Sequence, residues 1–402
     1  MKPIYKILIV VIIIIVFGAV FYFLWQKFTE IPDGQLTNDN GQLTTDNGTT
    51  LPIGETGDQQ PTTNDQQQTT DNNQQLTTNN QQPTIKKISD NPVFDFVIVP
   101  ETKEIFYLTP DGKVFSAKTE KDLEISTQTI NALNFIESSA DNQKILAAFG
   151  DPRAPQWGIF DLVDKVWRPL PNDILNATWG KDNAQIIAVM QKNNNDSLIS
   201  LDIAKTPPSE KVLIKDFQFK DLKLIYKQPL SLLMVEKPAS IYKSRVWELN
   251  LDPKKLTITQ LIQGENGLMM NWSKSREIVF QFKSPNDFHI LDKNFGENTP
   301  LFFTTFPSKC DYSDITKTAY CFAPQDFPPE IVGLKLPDDY LQKRFYTIDD
   351  LYAVDMEKEE INKILTSGSG DFEPIDGKNP RYGDGKIYFV NQYDNYLYEL
   401  AP

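Results

Sequence analysis

Residues that carry chemistry are scarce in this chain. Its 402 residues include one histidine, His289, and two cysteines, Cys310 and Cys321. A Ser-His-Asp or Cys-His mechanism would have to run through that single imidazole. His289 stands within the apolar pattern Phe288-His289-Ile290-Leu291 and reads as a strand residue rather than a base. No Asp-x-Asp-x-Asp-Gly calcium loop, Walker loop or zinc-type spacing occurs, so no cofactor or metal is expected. Positive charge is also short. Forty Lys and Arg face 54 Asp and Glu, giving a net charge of −14 and a pI near 4.7. Nucleic acid, whose phosphates demand a basic surface, is thereby excluded as a partner.

The charge is unevenly placed. Between Ile31 and Pro83 there are seven acidic residues and no Lys or Arg, so half of the net charge lies there. From 31 to 84 the chain is mostly Asn, Gln, Thr and Asp, with near-duplicates at Gly34–Asn40 and Gly41–Asn47. So few apolar side chains cannot offset ordering entropy, and a disordered linker spanning roughly 40 Å end to end is expected. Asn47-Gly48-Thr49 is a glycan acceptor pattern, although a plain solvated spacer is the simpler reading.

Before the linker, Lys2 and Lys6 lie in a short stub, residues 1–6, followed by an unbroken apolar run over 7–25. Nineteen helical residues would span roughly 28 Å, about one hydrocarbon core. The run ends in Phe21-Tyr22-Phe23-Leu24-Trp25, suited to the membrane interface, and then Lys27. A cleaved signal peptide would need a shorter core and a small-residue cleavage site, and none follows. The run therefore reads as one uncleaved transmembrane helix in the cell membrane. The lysine bias places the N-terminus in the cytoplasm and everything beyond residue 30 outside it.

From Ile85 onward the pattern changes to short alternating strands. The informative stretch is Asn271–Phe282, a strand end carrying Trp272, a tight polar turn, and the strand Ile278-Val279-Phe280-Gln281-Phe282. Related copies begin at Trp179, Tyr226, Tyr312 and Tyr382. With Val99 and Ile136 the seven anchors are spaced by 37, 43, 47, 46, 40 and 70 residues. The last gap holds a 23-residue insertion, 324–346; without it the spacing returns to 47. About four strands per unit at this period predict an all-β fold, a seven-bladed β-propeller of four-stranded blades over 85–402. The seventh unit stops after its third strand, and Thr84–Ser89 can supply the fourth, which would close the ring without an open edge.

These copies resemble the TolB-type, or WD40-like, propeller repeat, whose core reads Trp-Ser-Pro-Asp-Gly, two polar residues and an apolar triplet. Trp272-Ser273-Lys274-Ser275 with Ile278-Val279-Phe280 is the nearest copy, and no copy keeps the whole turn. The resemblance implies the fold and leaves the activity open, since propellers host many functions. Propeller-bearing peptidases add an α/β-hydrolase domain, and none is expected here.

Cys310 and Cys321 flank the turn of the sixth unit on adjacent strands and are expected to pair outside the cytoplasm, on the face opposite the insertion. Carboxylates at Asp338-Asp339 and Asp349-Asp350 are available for a glycan lyase or hydrolase, the alternative enzymatic reading. Neighbouring carboxylates in a strand point to opposite faces, however, and more often form turns or caps. Uneven loops between second and third strands offer a better site. Aromatic and Arg anchors there give Arg153 and Trp157 in blade two, Tyr242 and Arg245 in blade four, and Phe327, Tyr340 and Arg344 in the insertion. Pro337–Arg344 is expected to form a short helix in a cap over the pore side. The expectation is a monomeric, non-enzymatic propeller binding an envelope protein or glycan, with a TolB-like envelope-assembly subunit as a further alternative.

Overall fold

The computed structural model describes residues 83–401, apart from 127, 220, 297–299, 328–332 and 369–371. The proposed transmembrane helix and nearly all of the linker lie outside the described residues. No helix among the described residues is long and apolar enough to cross a membrane.

Seven antiparallel sheets follow one another along the chain as seven blades. Blade one is β2 (Asp95–Ile98), β3 (Ile105–Leu108), β4 (Val114–Ser116) and β5 (Leu123–Glu124). Blade two is β6 (Leu133–Ser138), β7 (Lys144–Phe149), β8 (Gln156–Asp161) and β9 (Val166–Pro169). Blade three comprises β10 (Ile174–Trp179) to β13 (Ser209–Ile214), and blade four β14 (Leu222–Lys227) to β17 (Thr257–Asn266). Blade six comprises β21 (Cys310–Ser313) to β24 (Glu360–Leu365). In blade seven β25 (Gly377–Gly383), β26 (Lys386–Asn391) and β27 (Tyr396–Ala401) are completed by β1 (Thr84–Lys87), with Thr84 opposite Ala401 and Lys87 opposite Tyr398. The two ends of the domain are thus held in one sheet, as the sequence predicts. The fifth blade departs from expectation. Among the described residues it has three strands, β18 (Met269–Trp272), β19 (Ile278–Lys283) and β20 (Asp287–Asp292).

The alternation of apolar residues on both faces of each blade explains the ring. One apolar cluster joins each adjacent pair of blades. Blades one and two, for example, share Val97, Phe106, Ile145 and Phe160, while Phe96, Tyr107, Tyr388 and Leu397 join blade seven back to blade one. Each blade is buried only by its neighbours, so closure is a condition of stability rather than a decoration.

The turn between first and second strands survives even where its sequence has drifted. In blade five the Ser273 amide donates to the Ile278 carbonyl at 2.9 Å and the Arg276 amide to the Ser273 carbonyl at 3.0 Å. The Ser273 Oγ accepts from the Ile278 amide at 3.1 Å. Ser139 does the same in blade two, accepting from the Lys144 amide at 3.0 Å. Both turns place a residue in the left-handed region, Arg276 at φ +65° and Asn142 at φ +56°, a conformation that glycine adopts most readily. The hydrogen bonds keep the shape that glycine would otherwise permit.

Cys310 and Cys321 are directly opposed in β21 and β22 (Thr318–Pro324) and form a disulfide. Cys310 opens its strand and Cys321 is the middle residue of β22, three residues from either end, so the bridge sits midway across the blade and not at the turn on the face opposite the insertion. The enclosed loop is short, and the loop-entropy argument sets its contribution at about 3 kcal/mol or less. Reduction, or Cys310→Ser with Cys321→Ser, should lower the denaturation midpoint by that order while leaving the β-sheet circular dichroism intact. An unchanged midpoint would remove the bridge from the stability argument.

The insertion is anchored at its base by a buried charge cluster. Lys309, at the end of the 3-10 turn Pro307–Lys309, is fully buried together with Asp349 and Asp376. Its Nζ lies 2.5 Å from Asp376 Oδ1 and 2.8 Å from Thr347 Oγ1, and also binds Asp349. The Tyr340 hydroxyl donates to Asp376 at 3.2 Å, and Gln392 Nε2 donates to both groups. The predicted helix is present as α1 (Asp338–Leu341), shorter than 337–344 and without a basic residue in its last turn.

Candidate functional site

Strand order gives the ring two unlike faces. Turns joining strands one to two and three to four lie on one, called here the turn face. Loops joining strands two to three, together with the blade-to-blade connections, lie on the other, the loop face. A cavity opens near the axis at each.

The loop-face cavity, of about 710 Å³, lies among blades two, three and four. Its apolar walls include Phe135, Trp157 and Phe219, and its polar lining includes Asn134, Arg153 and Asn176. Phe135 meets Trp157 edge to face at 5.9 Å between ring centres. Trp157 starts near the loop-face end of β8, opposite Ala148, and is only 4% exposed. Its indole N–H has no hydrogen-bond acceptor among the described residues. A buried donor left unpaired costs about 1–3 kcal/mol, and this one is closed off from the cavity as well as from solvent. The Asn134 amide nitrogen donates to the Gly150 carbonyl at 2.9 Å, which fixes its orientation beside the cavity.

The positions chosen from sequence divide sharply. Arg153 and Trp157 come together at this cavity, although Trp157 is buried where exposure was expected. Arg153 is ion-paired with Asp151 at 3.2 Å. Tyr242 is 71% exposed in the blade-four loop, and Arg245 lies beside Glu236 at 3.7 Å. The insertion residues are mostly structural. Tyr340 is 6% exposed and stacks on Phe306 at 4.2 Å, and Phe327 packs edge-on against Phe306 at 5.4 Å. Both were expected at the surface; the apolar cluster between blades five and six takes them in. Arg344 remains exposed and pairs with Asp339 at 2.7 Å. Sequence reading passed over Tyr346 and Tyr393, whose exposed rings stack at 5.4 Å on the loop face.

The insertion does fold over the loop face. Asp338 accepts from the Ser240 hydroxyl of blade four at 2.6 Å, and Lys343 reaches Asn395 of blade seven at 3.5 Å. The carboxylates considered for acid–base chemistry are occupied in this scaffold. Asp338 binds Ser240, Asp339 binds Arg344, Asp349 binds Lys309, and Asp350 binds Lys363 at 2.7 Å. His289 pairs with Asp287 at 2.5 Å. Among the described residues no group of three His, Cys, Asp or Glu is placed to hold a metal ion.

Burial pushes three carboxyls upward, those of Glu137, Asp311 and Asp349. Asp311, on the inner strand of blade six, is raised to about 6, with the Tyr382 amide and Arg381 opposing the effect. Asp349 is also raised to about 6 by burial, with Lys309 opposing and Asp376 adding. Both folded-state values exceed the ordinary carboxylate value, so the folded protein holds protons that the unfolded chain has released. Stability should therefore fall as pH rises from about 4 to about 6, and level off above. Urea midpoints at pH 4.5, 5.5 and 7 should decrease in that order, with Asp311→Asn flattening the slope. A rising midpoint over this window would contradict the assignment.

No protein-family model matches the sequence, and no curated protein matches it. Solved structures do. An oligogalacturonate lyase from Vibrio parahaemolyticus superposes with a TM-score of 0.53 at 11% identity, covering 80% of this chain and 97% of that one. An oligogalacturonate lyase in complex with manganese gives 0.52 at 10% identity, covering 79% and 90%. The Cps50 (Swd1) β-propeller domain of Myceliophteria thermophila gives 0.50 at 9% identity, covering 79% and 100%. These likenesses show the fold. At such identities they carry no reaction or ligand across.

Proposed function

We propose that this chain is a membrane-anchored recognition propeller, held outside the cytoplasm on its Asn/Gln/Thr-rich linker, that binds an envelope glycan at the loop-face cavity. The observation that carries the reading is a cavity of about 710 Å³ walled by the rings of Phe135, Trp157 and Phe219 and edged by the amides of Asn134 and Asn176. Aromatic faces accept the apolar C–H surface of a sugar ring, and fixed amides meet its oxygens. The apolar run over 7–25 and the disulfide support an extracytoplasmic placement. Binding is favoured over turnover because the paired carboxylates serve the scaffold. Resemblance to TolB-type repeats makes an envelope-assembly role the alternative, with the exposed Tyr242 and the Tyr346–Tyr393 pair offering a protein surface.

A glycan array probed with the full-length chain, alongside a pull-down from envelope extracts, tests this. Glycan binding that falls at least tenfold in Arg153→Ala with Asn134→Ala supports the cavity. Capture of a protein partner without glycan binding would favour assembly instead. A cysteine placed at Thr62 should react with a membrane-impermeant thiol reagent on intact cells. Reaction only after lysis would overturn the topology.

A further inference from the structure

The turn-face cavity, of about 720 Å³, is walled by the inner strands and turns of blades two to five. Its charged lining is Lys223, Lys227, Lys274, Arg276, Lys293, Glu137 and Glu277. Five cations against two anions is the reverse of the balance in a protein of net charge −14. Some of this charge is already matched. Lys293 pairs with Glu277 at 2.9 Å and Lys227 with Glu248 at 3.5 Å.

Three cations take neutral hydrogen-bond acceptors, with Glu137 the anion nearest in effect to Lys223 and Arg276. Lys223 Nζ lies 3.4 Å from Asn271 Oδ1, and Arg276 Nη1 lies 3.4 Å from the carbonyl of Ser273. Lys274 reaches from the blade-five turn to Asn142 Oδ1 of the blade-two turn at 2.8 Å. Glu137 faces the same space; its carboxylate accepts from the Thr178 hydroxyl at 2.9 Å and from the Trp179 amide at 3.4 Å, and its single charge is shared between Arg276 and Lys223. Burial works against the charge on Lys223, Lys274 and Arg276 and outweighs Glu137 at Lys223 and Arg276 and Asp141, Glu101 and Asp311 at Lys274, while Arg276 adds repulsion at Lys223 and Arg381 at Lys274. Crowded cations in a partly desolvated space carry a cost that a bound anion relieves. Guanidinium and ammonium groups together suit carboxylate or phosphate oxygens.

We infer that the turn-face cavity is a second binding site, taking a small organic or inorganic polyanion that bears carboxylate or phosphate groups between Lys223, Lys274 and Arg276. It is separate from the proposed glycan cavity, although Phe135, Lys223 and Leu224 border both. The anion displaces the Lys274 contact to Asn142 and draws the lysine and Arg276 onto its oxygens. Entry is from the turn face, where the mouth is set by the turns of blades two, four and five.

Calorimetry on the full-length chain with citrate and with pyrophosphate, against potassium chloride at matched ionic strength, tests the site. Saturable binding of either probe that weakens steeply with salt is expected. Citrate alone would identify carboxylate chemistry, pyrophosphate alone phosphate chemistry, and either result supports the site. Lys274→Gln with Arg276→Asn should weaken binding at least tenfold. Asn at 276 tolerates the left-handed backbone, and the melting temperature of the variant serves as the folding control. Lys274→Gln alone, which leaves the left-handed turn residue Arg276 in place, should weaken binding severalfold if the double variant fails to fold. Arg153→Ala with Asn134→Ala, at the other cavity, should leave anion binding unchanged, which separates failure of this site from failure of the glycan reading. No saturable binding by either probe, or equal affinity in the turn variants, would overturn the inference.

Discussion

Lys309→Met is expected to cost about 3–5 kcal/mol of folding stability, the range for removing one partner of a buried ion pair. The lysine, Asp349 and Asp376 are all fully inaccessible. Without the ammonium, two carboxylates face each other in a space closed to bulk solvent. Thr347 Oγ1 also loses its donor. Methionine fills most of the volume, so the loss is electrostatic rather than a packing defect. Adding Asp349→Asn and Asp376→Asn to Lys309→Met should recover more than half of the loss, because neutral amides carry no uncompensated charge. Chemical denaturation of the three proteins at pH 7 provides the measurement. A single variant within 1 kcal/mol of the parent would show that the cluster is not under the strain described.

Removing Thr84–Ser89 is expected to have a comparably large effect, spread over the whole ring. The segment pairs with β27 through four residues, and beyond the strand the Ile88 amide donates to the Leu397 carbonyl at 2.9 Å. Ser89 Oγ accepts in turn from the Leu397 amide at 2.9 Å. Ile85 and Ile88 pack against the clusters on either side of blade seven. Several hydrogen bonds at about 1 kcal/mol each, with partial burial of two isoleucines, place the loss on the order of 5 kcal/mol. Deleting 40–75 should leave the melting temperature unchanged, since that composition offers nothing to bury. If both deletions shift melting equally, closure by β1 is not what holds the ring.

The ring itself was legible in the chain. Strand alternation and a recurring aromatic before a polar turn fix a period of about 40–47 residues, and that period admits few architectures. The shortfall of one strand at the C-terminus and the spare strand at Thr84–Lys87 determined the closure. The pairing of Cys310 with Cys321 followed from their symmetrical positions about one turn. Each of these rests on local pattern, which a linear sequence records.

Exposure did not follow from pattern. Trp157, Phe327 and Tyr340 lie in loops or next to them, and a loop aromatic reads as a surface anchor. Whether a neighbouring blade covers it depends on residues elsewhere in the chain, such as Ala177 and Ile186 of blade three in the cluster that takes in Trp157, and Phe306 and Asp376 for Tyr340. The fate of Lys309 was equally hidden, because its partners at 349 and 376 belong to the insertion's return and to the next blade. The cation-lined cavity shows the same limit. Lys223, Lys274 and Arg276 look like ordinary strand and turn polar residues until the ring turns them toward one axis. Sequence determined the repeat, because burial of alternating side chains is a local demand. Only closure of the ring decided which charges share a low-dielectric space, because that depends on blades that are distant in the chain and adjacent around the axis.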